Sequence, residues 1–252
     1  MITKLELFEK AKLKGIFNKS YSEKDYLLEL VLFSLSRNTK QELIFKGGTA
    51  LSKLFKLDRF SEDLDFSAVE DINVNGLIGK IKNDLSKFNI EAELSKLNEP
   101  FNSILINLKI KGPLYNGNPL TISTIRIDIN KKSKVELEPL NLRFTSLYLE
   151  IPPFYVLVMQ EKEILTEKIR AIMTRNKARD LYDAYKLIEK GIEIDKILID
   201  KKMTYYRMRF NKNDLIKSID EKEKSWSVEL KPLLDRLPSF SEVKKSLLSA
   251  FN

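Results

Sequence analysis

Cysteine and histidine are both absent from this 252-residue chain. Without cysteine there are no disulfides, thiolate metal sites or cysteine nucleophiles. Without histidine there is no Ser-His-Asp triad, no imidazole zinc ligand and no histidine general base. Acid, base or metal chemistry must therefore run on Asp, Glu, Lys or Tyr. Long apolar runs are missing too: stretches such as LELVLF fall far short of the ~20 residues that span a bilayer. The opening MITKLELFEKAKLKG is amphipathic and carries acids, unlike a secretory or transit peptide, so the chain reads as cytoplasmic.

What is present suits a folded globular protein. The hydrophobic share is 43% and the charged share 32%, and the length allows one large domain or two joined lobes. The net charge of +8 is compatible with a polyanionic partner, although soluble enzymes rich in Lys and Glu reach the same value. No internal repeat, low-complexity tract or disordered linker interrupts the chain.

Periodicity divides it into three parts. Residues 1–40 read as a helical arm, with SEKDYLLELVLFSLSR placing Tyr26, Leu27, Leu30, Val31, Ser34 and Leu35 near one face and Ser22 as the candidate N-cap. Residues 41–158 read as an α/β core. ELIFKGG is a strand, TALSKLF a helix, DLDFSAV a strand and NVNGLIGKIKNDLSKFN a helix. EAELSKLN, SILINLKIKG and TISTIRIDINK alternate as strands, and 132–158 reads as short strands ending in a Pro-Pro break. From residue 159 to 252 the pattern is helical: EKEILTEKIRAIMT, KARDLYDAYKLIEKG, DKILIDKKMTYY, NDLIKSIDEKEK and two short segments around WSVELKPLLDRL and SEVKKSLLSAF.

The densest chemistry is IFKGGTALSKLFKLDRFSEDLDFS, residues 44–67. In its last strand Asp63, Asp65 and Ser67 point one way and Leu64, Phe66 and Ala68 the other. The two carboxylates then lie about 7 Å apart on one face, a spacing that suits a shared hard cation completed by substrate phosphates. A bare Asp-x-Asp is short and common, and alone it describes an ordinary edge strand. Upstream, Lys46-Gly47-Gly48-Thr49 joins a strand to a helix. Glycines allow close backbone approach, N–H groups opening a helix favour phosphate, and Thr49 can add a hydroxyl or an N-cap. The spacing is not that of a P-loop, and an isolated Gly-Gly-Thr is most often just a tight turn.

Strand, Gly-Gly-Thr, helix and a strand bearing Asp-x-Asp together resemble the polymerase-β-like nucleotidyltransferase superfamily. That superfamily implies a third carboxylate from a later strand. In IRIDI the residues Ile125, Ile127 and Ile129 form an inward face, and Asp128 on the opposite face is the candidate. The wording FKGGTALSKLF-x-x-x-RFSEDLDF, followed by EKIRAIMTRNKARDLYDAYKL, is more specific: it is similar to the AbiEii/AbiGii family of nucleotidyltransferase toxins and to related toxins of the MenT type.

The resemblance implies an α+β fold, with a polymerase-β-like core of mixed sheet and helices and an α-helical C-terminal lobe. It implies a toxin of a toxin–antitoxin or phage-defence system that transfers a nucleoside monophosphate from an NTP to an acceptor and releases pyrophosphate. In family members the acceptor is tRNA, at or near its 3′ end. Carried over, Asp63 and Asp65 hold Mg²⁺ or Mn²⁺ with Asp128 as a possible third ligand. Lys46, Gly47, Gly48, Thr49 and Ser61 line the nucleotide, Lys168 meets its phosphates, and Asp183 lies near the active centre. A cognate antitoxin encoded nearby is a further implied partner. On charge pattern alone, Lys168, Arg175, Arg179, Asp180 and Asp183 would form a surface ladder, with Arg179 and Asp183 paired at i,i+4.

KKMTYYRMRFNKN at 201–213 interleaves Lys201, Lys202, Arg207 and Arg209 with Tyr205, Tyr206 and Phe210. Such a stretch suits an RNA backbone and unstacked bases, or equally a helix whose aromatics are core and whose basic groups are solvated. Two other functions remain compatible with the sequence. One is the same chemistry on a protein or small-molecule hydroxyl, and the other is a non-catalytic nucleic-acid-binding regulator.

Overall fold

The structure, a computed structural model, describes residues 1–100, 102–234 and 236–251. The chain divides into two compact units. One comprises Met1–Ala50, Glu62–Lys132 and Pro139–Val158; the other comprises Leu51–Ser61, Ser133–Glu138 and Met159–Asn252.

The first unit is built on a seven-stranded sheet. Helix α1 (Lys4–Leu13) starts with a capping box between Thr3 and Glu6 and buries Leu7 and Ala11. Helix α2 (Lys19–Asn38) begins earlier than the sequence suggested. Its N-cap is Asn18, whose side chain accepts from the Ser20 and Tyr21 amides, whereas Ser22 lies inside the helix and donates to the Asn18 carbonyl at 2.9 Å. Strand β1 (Leu43–Lys46) leads into helix α3 (Gly47–Leu54), then β2 (Asp63–Ala68), helix α4 (Val74–Ser86) and strands β3 (Glu91–Asn98), β4 (Ser103–Lys111) and β5 (Ser123–Asn130). The stretch 132–158, read as short strands, contains β6 (Leu140–Phe144) and β7 (Phe154–Val158), the latter following the Pro-Pro pair.

The strand order is β3-β4-β5-β2-β1-β7-β6. The β2–β5 and β1–β7 pairs are parallel and the others antiparallel. Alternation assigns the faces. Ile104, Ile106, Leu108 and Ile110 on β4, with Ile125, Ile127 and Ile129 on β5, form a buried apolar layer. Helix α2 packs on β5 and on α4, and α4 packs on β3; the two helices bury Leu27, Leu30, Val31, Ile78, Ile81 and Leu85. At roughly 1.5–3 kcal/mol for each fully buried aliphatic side chain, this layer is the main term favouring the sheet, and it forces β2 and β5 to turn their odd-spaced polar side chains the other way.

The second unit is helical: α5 (Glu161–Thr174), α6 (Ala178–Glu189), α7 (Lys196–Thr204), α8 (Lys212–Asp220), α9 (Glu223–Leu230) and α10 (Phe240–Ser249). Within the segment expected to be a helix around WSVELKPLLDRL, Asp235 lies outside the described residues. Buried lysines organise the unit. Lys222 donates to the Ile172 and Ser218 carbonyls at 2.7 and 2.8 Å, covering an orphan carbonyl at the end of α5. Burial lowers its pKa. Lys202 is completely buried, paired with Glu163 at 2.6 Å and Glu167 at 3.3 Å. Glu163 in turn accepts from the backbone amides of Glu136 and Leu137 at 2.8 and 3.0 Å. These bonds explain why Ser133–Glu138 belongs to the helical unit although strands flank it. Among the described residues no helix is long and apolar enough to cross a membrane.

Glu163 thus compensates a buried cation and two backbone donors at once. Glu163→Ala should lower unfolding stability by about 3–5 kcal/mol, the cost of breaking a buried pair, measured by urea denaturation. Glu161→Ala, on an exposed pair with Lys190, should cost less than about 1 kcal/mol.

Candidate active site

Strand β2 carries Asp63 and Asp65 on the face turned away from the helices, because Leu64 and Phe66 are fixed in the core at 0% and 2% exposure. The parallel ladder with β5 sets Asp65 directly opposite Asp128 and Asp63 opposite Arg126. On the other side, β1 sets Lys46 opposite Asp65. Three of the expected ligands and the expected lysine therefore come together on one patch of sheet. Strands are about 4.8 Å apart, so the Asp65 and Asp128 side chains stand across one strand spacing, where like charges repel. A cation relieves that repulsion. Arg126 supplies part of one, 3.2 Å from Asp128, and Lys46, mostly buried, brings another to the same row.

The glycine turn is packed against these acids. Gly47 opens α3 with φ +76°, and a Cβ placed on it would stand 2.3 Å from Asp65 Oδ2 and 2.9 Å from Asp65 Cβ. The Asp65 carboxylate thus rests on a backbone that only glycine provides, both for space and for conformation. Thr49 is not the N-cap anticipated from the sequence, because the helix already starts at Gly47. It is buried, and its hydroxyl donates to the Asp63 backbone carbonyl, pinning the start of β2 to α3. Gly48 is buried beside it. Ser67, next on the Asp63–Asp65 face, is fully buried and its hydroxyl has no hydrogen-bond partner. Ser61 is half-buried in the loop that belongs to the helical unit.

Among the described residues, no group of three or more acidic side chains is placed to hold a metal ion by itself. The donor chemistry still fits Mg²⁺, which takes one or two carboxylates and completes its octahedron with water and substrate phosphates. Asp63 and Asp65 are half-buried and oxygen-only, with Asp128 one strand away.

In the helical unit, Lys168 and Asp183 lie inside a buried charge network rather than on a surface ladder. Asp183 accepts from Arg59 Nε at 2.6 Å and Nη2 at 2.7 Å, a bidentate fork, and from Lys168 at 2.8 Å. Lys168 also reaches Asp180 at 3.0 Å, and Arg175 grips Asp180 at 2.7 and 2.9 Å. Asp183 therefore pairs with Arg59 and Lys168, where i,i+4 spacing had suggested Arg179. Helix α5 stops at Thr174, so Arg175 reaches the network from an extended cap residue and not along the Lys168 face. Burial alone would raise the Asp183 pKa, but the charges of Arg59 and Lys168 outweigh it and hold the carboxyl below its ordinary value. Asp180 is held low in the same way, burial being overcome by Lys168 and Arg175. Arg59 was not singled out in the sequence: its partner is 124 residues away, and only its place in RFSEDLDF marked it.

In the 201–213 stretch, Lys202 is buried and cannot face RNA, because Glu163 draws it inward. Lys201 pairs with Glu136 at 3.2 Å. Tyr205 donates to Glu136, Tyr206 stacks under Arg170 and Phe210 stacks on Phe251. Arg207 and Arg209 are exposed.

Residues 31–247 match the family described as nucleotidyl transferase AbiEii toxin, type IV toxin–antitoxin system. The chain belongs to that family and is a nucleotidyltransferase of its toxin class. No curated protein sequence matches it. Among solved structures it is similar to MenT4, a nucleotidyltransferase toxin from Mycobacterium tuberculosis H37Rv. The two are 18% identical over 100% of this chain and 89% of that one, with a TM-score of 0.68. It is also similar to JHP933 from Helicobacter pylori, 20% identical over 92% and 90% of the two chains, with a TM-score of 0.62. At these identities the likeness establishes the fold, an α/β nucleotidyltransferase core with a mixed sheet and helices.

Two outcomes follow from the geometry. Gly47→Ala should lose about 1–3 kcal/mol of stability to the left-handed backbone alone. It should also cut nucleotide transfer by about tenfold or more, since Asp65 must move; thermal melts and initial rates read the two effects. Asp180 and Asp183 have folded pKa values below their unfolded values, so their contribution is complete above about pH 4 and is lost as pH falls through the depressed values. Asp183→Asn should cost about 3–5 kcal/mol at pH 7 and flatten the acid limb of the stability–pH curve below pH 4.

Proposed function

We propose that this enzyme transfers a nucleoside monophosphate from an NTP to the 3′ end of tRNA, with Mg²⁺ held by Asp63 and Asp65. The observation that carries this reading is the packing of the Asp65 carboxylate on the bare backbone of Gly47. It sets acid oxygens beside a helix N-terminus, where phosphate is stabilised. Bound metal would polarise the α-phosphoryl group and offset charge on the attacking and leaving oxygens.

The protein's own residues supply the remainder. Asp63 and Asp65 would hold the cation, and Asp128 would serve as a third ligand or as a proton acceptor. The amides of Gly47 and Gly48 and the side chain of Lys46 receive the triphosphate, and Ser61 is a further polar neighbour. The acceptor hydroxyl oxygen bonds to the α-phosphorus as the bond from that phosphorus to its β-bridging oxygen breaks. The hydroxyl proton goes to Asp63 or Asp128, and Lys46 meets the charge of the departing pyrophosphate. Lys168 and Asp183 are engaged with Arg59 and Asp180, and we assign them to holding the helical unit in shape. Toxin–antitoxin membership implies an antitoxin partner, expected in the neighbouring reading frame, and a cytoplasmic site of action.

Incubation with [α-³²P]NTP, Mg²⁺ and total tRNA should label the tRNA. Asp65→Ala should reduce labelling by at least about a hundredfold, the scale of losing a principal transition-state electrostatic group, with its melting temperature retained. Undiminished labelling by that variant would overturn the mechanism. Label entering protein or a small molecule instead of RNA would keep the chemistry and change the acceptor.

A further inference from the structure

The sheet face that carries the carboxylates continues past them. Cross-strand register runs from Asp63 to Arg126 on β5, Asn107 on β4 and Lys96 on β3. One row further from the acids, Thr124 stands opposite Lys109. Directly opposed residues share a face, so these side chains lie on the same side as Asp63 and Asp65. The other side of the same strands is the isoleucine layer covered by α2 and α4.

This outward side is open. Lys96, Lys109, Thr124 and Arg126 are exposed and Asn107 is half-buried. Parallel sheets usually bury both faces, whereas an antiparallel set such as β3–β4–β5 can leave one to solvent. Leu105 and Asn98 extend the Asp65–Asp128 row, Arg126, Asn107 and Lys96 extend the Asp63 row, and Lys109 follows in the next row. Glu93 stands directly opposite Lys109 and Glu91 opposite Lys111, the latter pair closed at 2.8 Å. Among the described residues, Lys96 and Arg126 are therefore the cations of this side without an acid across β3–β4. No aromatic side chain occupies the outward positions of β3, β4 or β5 among the described residues.

We propose that this open β5–β4–β3 face is the acceptor platform, binding the sugar-phosphate backbone of the RNA strand whose terminal hydroxyl is delivered to the Asp63–Asp65 edge. The inference rests on the nucleotidyl-transfer reading above and adds where the acceptor lies. Basic side chains without aromatic stacking partners recognise phosphate and not bases. The platform is therefore indifferent to sequence, and any choice among RNAs is made elsewhere. The basic stretch at 201–213 is a weaker candidate, with Lys202 buried and Lys201 paired.

The test is retention of total tRNA on filters without NTP, so that it does not depend on catalysis. Lys96→Glu/Lys109→Glu should weaken tRNA binding by about tenfold or more, and should lower the slope of log affinity against log salt by about two. The gentler pair Lys96→Ala/Lys109→Ala should give an intermediate loss and guards against a folding defect. Lys82→Glu, exposed on α4, should leave binding unchanged. Full tRNA retention by the glutamate pair, or equal loss in the α4 control, would overturn the platform. Wild-type enzyme that labels only protein and retains no tRNA would also overturn it, while leaving nucleotidyl transfer standing. Asp65→Ala should retain tRNA normally, which separates binding from chemistry.

Discussion

A buried carboxylate shared by an arginine and a lysine is the constraint around which the helical unit is arranged. Asp183 is fully inaccessible, and an isolated charge in that position would be untenable. The bidentate fork of Arg59 and the ammonium of Lys168 make it tolerable, and Arg175 and Lys168 do the same for Asp180. Buried ion pairs of this kind add little net stability over a hydrophobic replacement, but losing one partner is expensive. What they do enforce is geometry: the loop Leu51–Ser61 is held to α6 by a planar fork that has few alternatives. The two motif blocks of the sequence are thus physically coupled. RFSEDLDF contributes the arginine, and EKIRAIMTRNKARDLYDAY contributes the lysine and both acids.

The sheet unit obeys a different rule. Its isoleucines fix which way β2 and β5 face, and parallel pairing then sets Asp65 beside Asp128 without any further specification. The cost of placing two acids across one strand spacing is moderated by Lys46 and Arg126, and the space for Asp65 is made by leaving Cβ off residue 47. The site concentrates like charge beside a backbone position open only to glycine, and functional sites are where exceptions to local rules commonly accumulate.

Much of this was legible in the primary structure where a period of two or 3.6 could speak. The alternation of IRIDI and DLDFS assigned the core and the acid face, and the boundaries of α5 were read as the structure has them. Contacts without a period were not legible. Nothing local announces that Arg59 will meet Asp183, or that Lys202 will turn inward to Glu163. The segment after residue 132, read as short strands, departs from that reading for a related reason: its six residues Ser133–Glu138 answer to Glu163 and Lys202, not to neighbouring strands. Thr49 was expected to cap a helix because its helix was placed two residues late.

The interlacing of the two units sets an order of events during synthesis. The chain passes from one unit to the other after Ala50, Ser61, Lys132, Glu138 and Val158, so every strand of the sheet leaves the ribosome before helix α5 begins. Arg59 emerges 124 residues ahead of Asp183 and must wait for it, its loop unanchored. A nascent chain can therefore carry a complete carboxylate strand and glycine turn while the helical unit is still unmade. The Arg59–Asp183 fork thus closes late, after every strand of the sheet has been made.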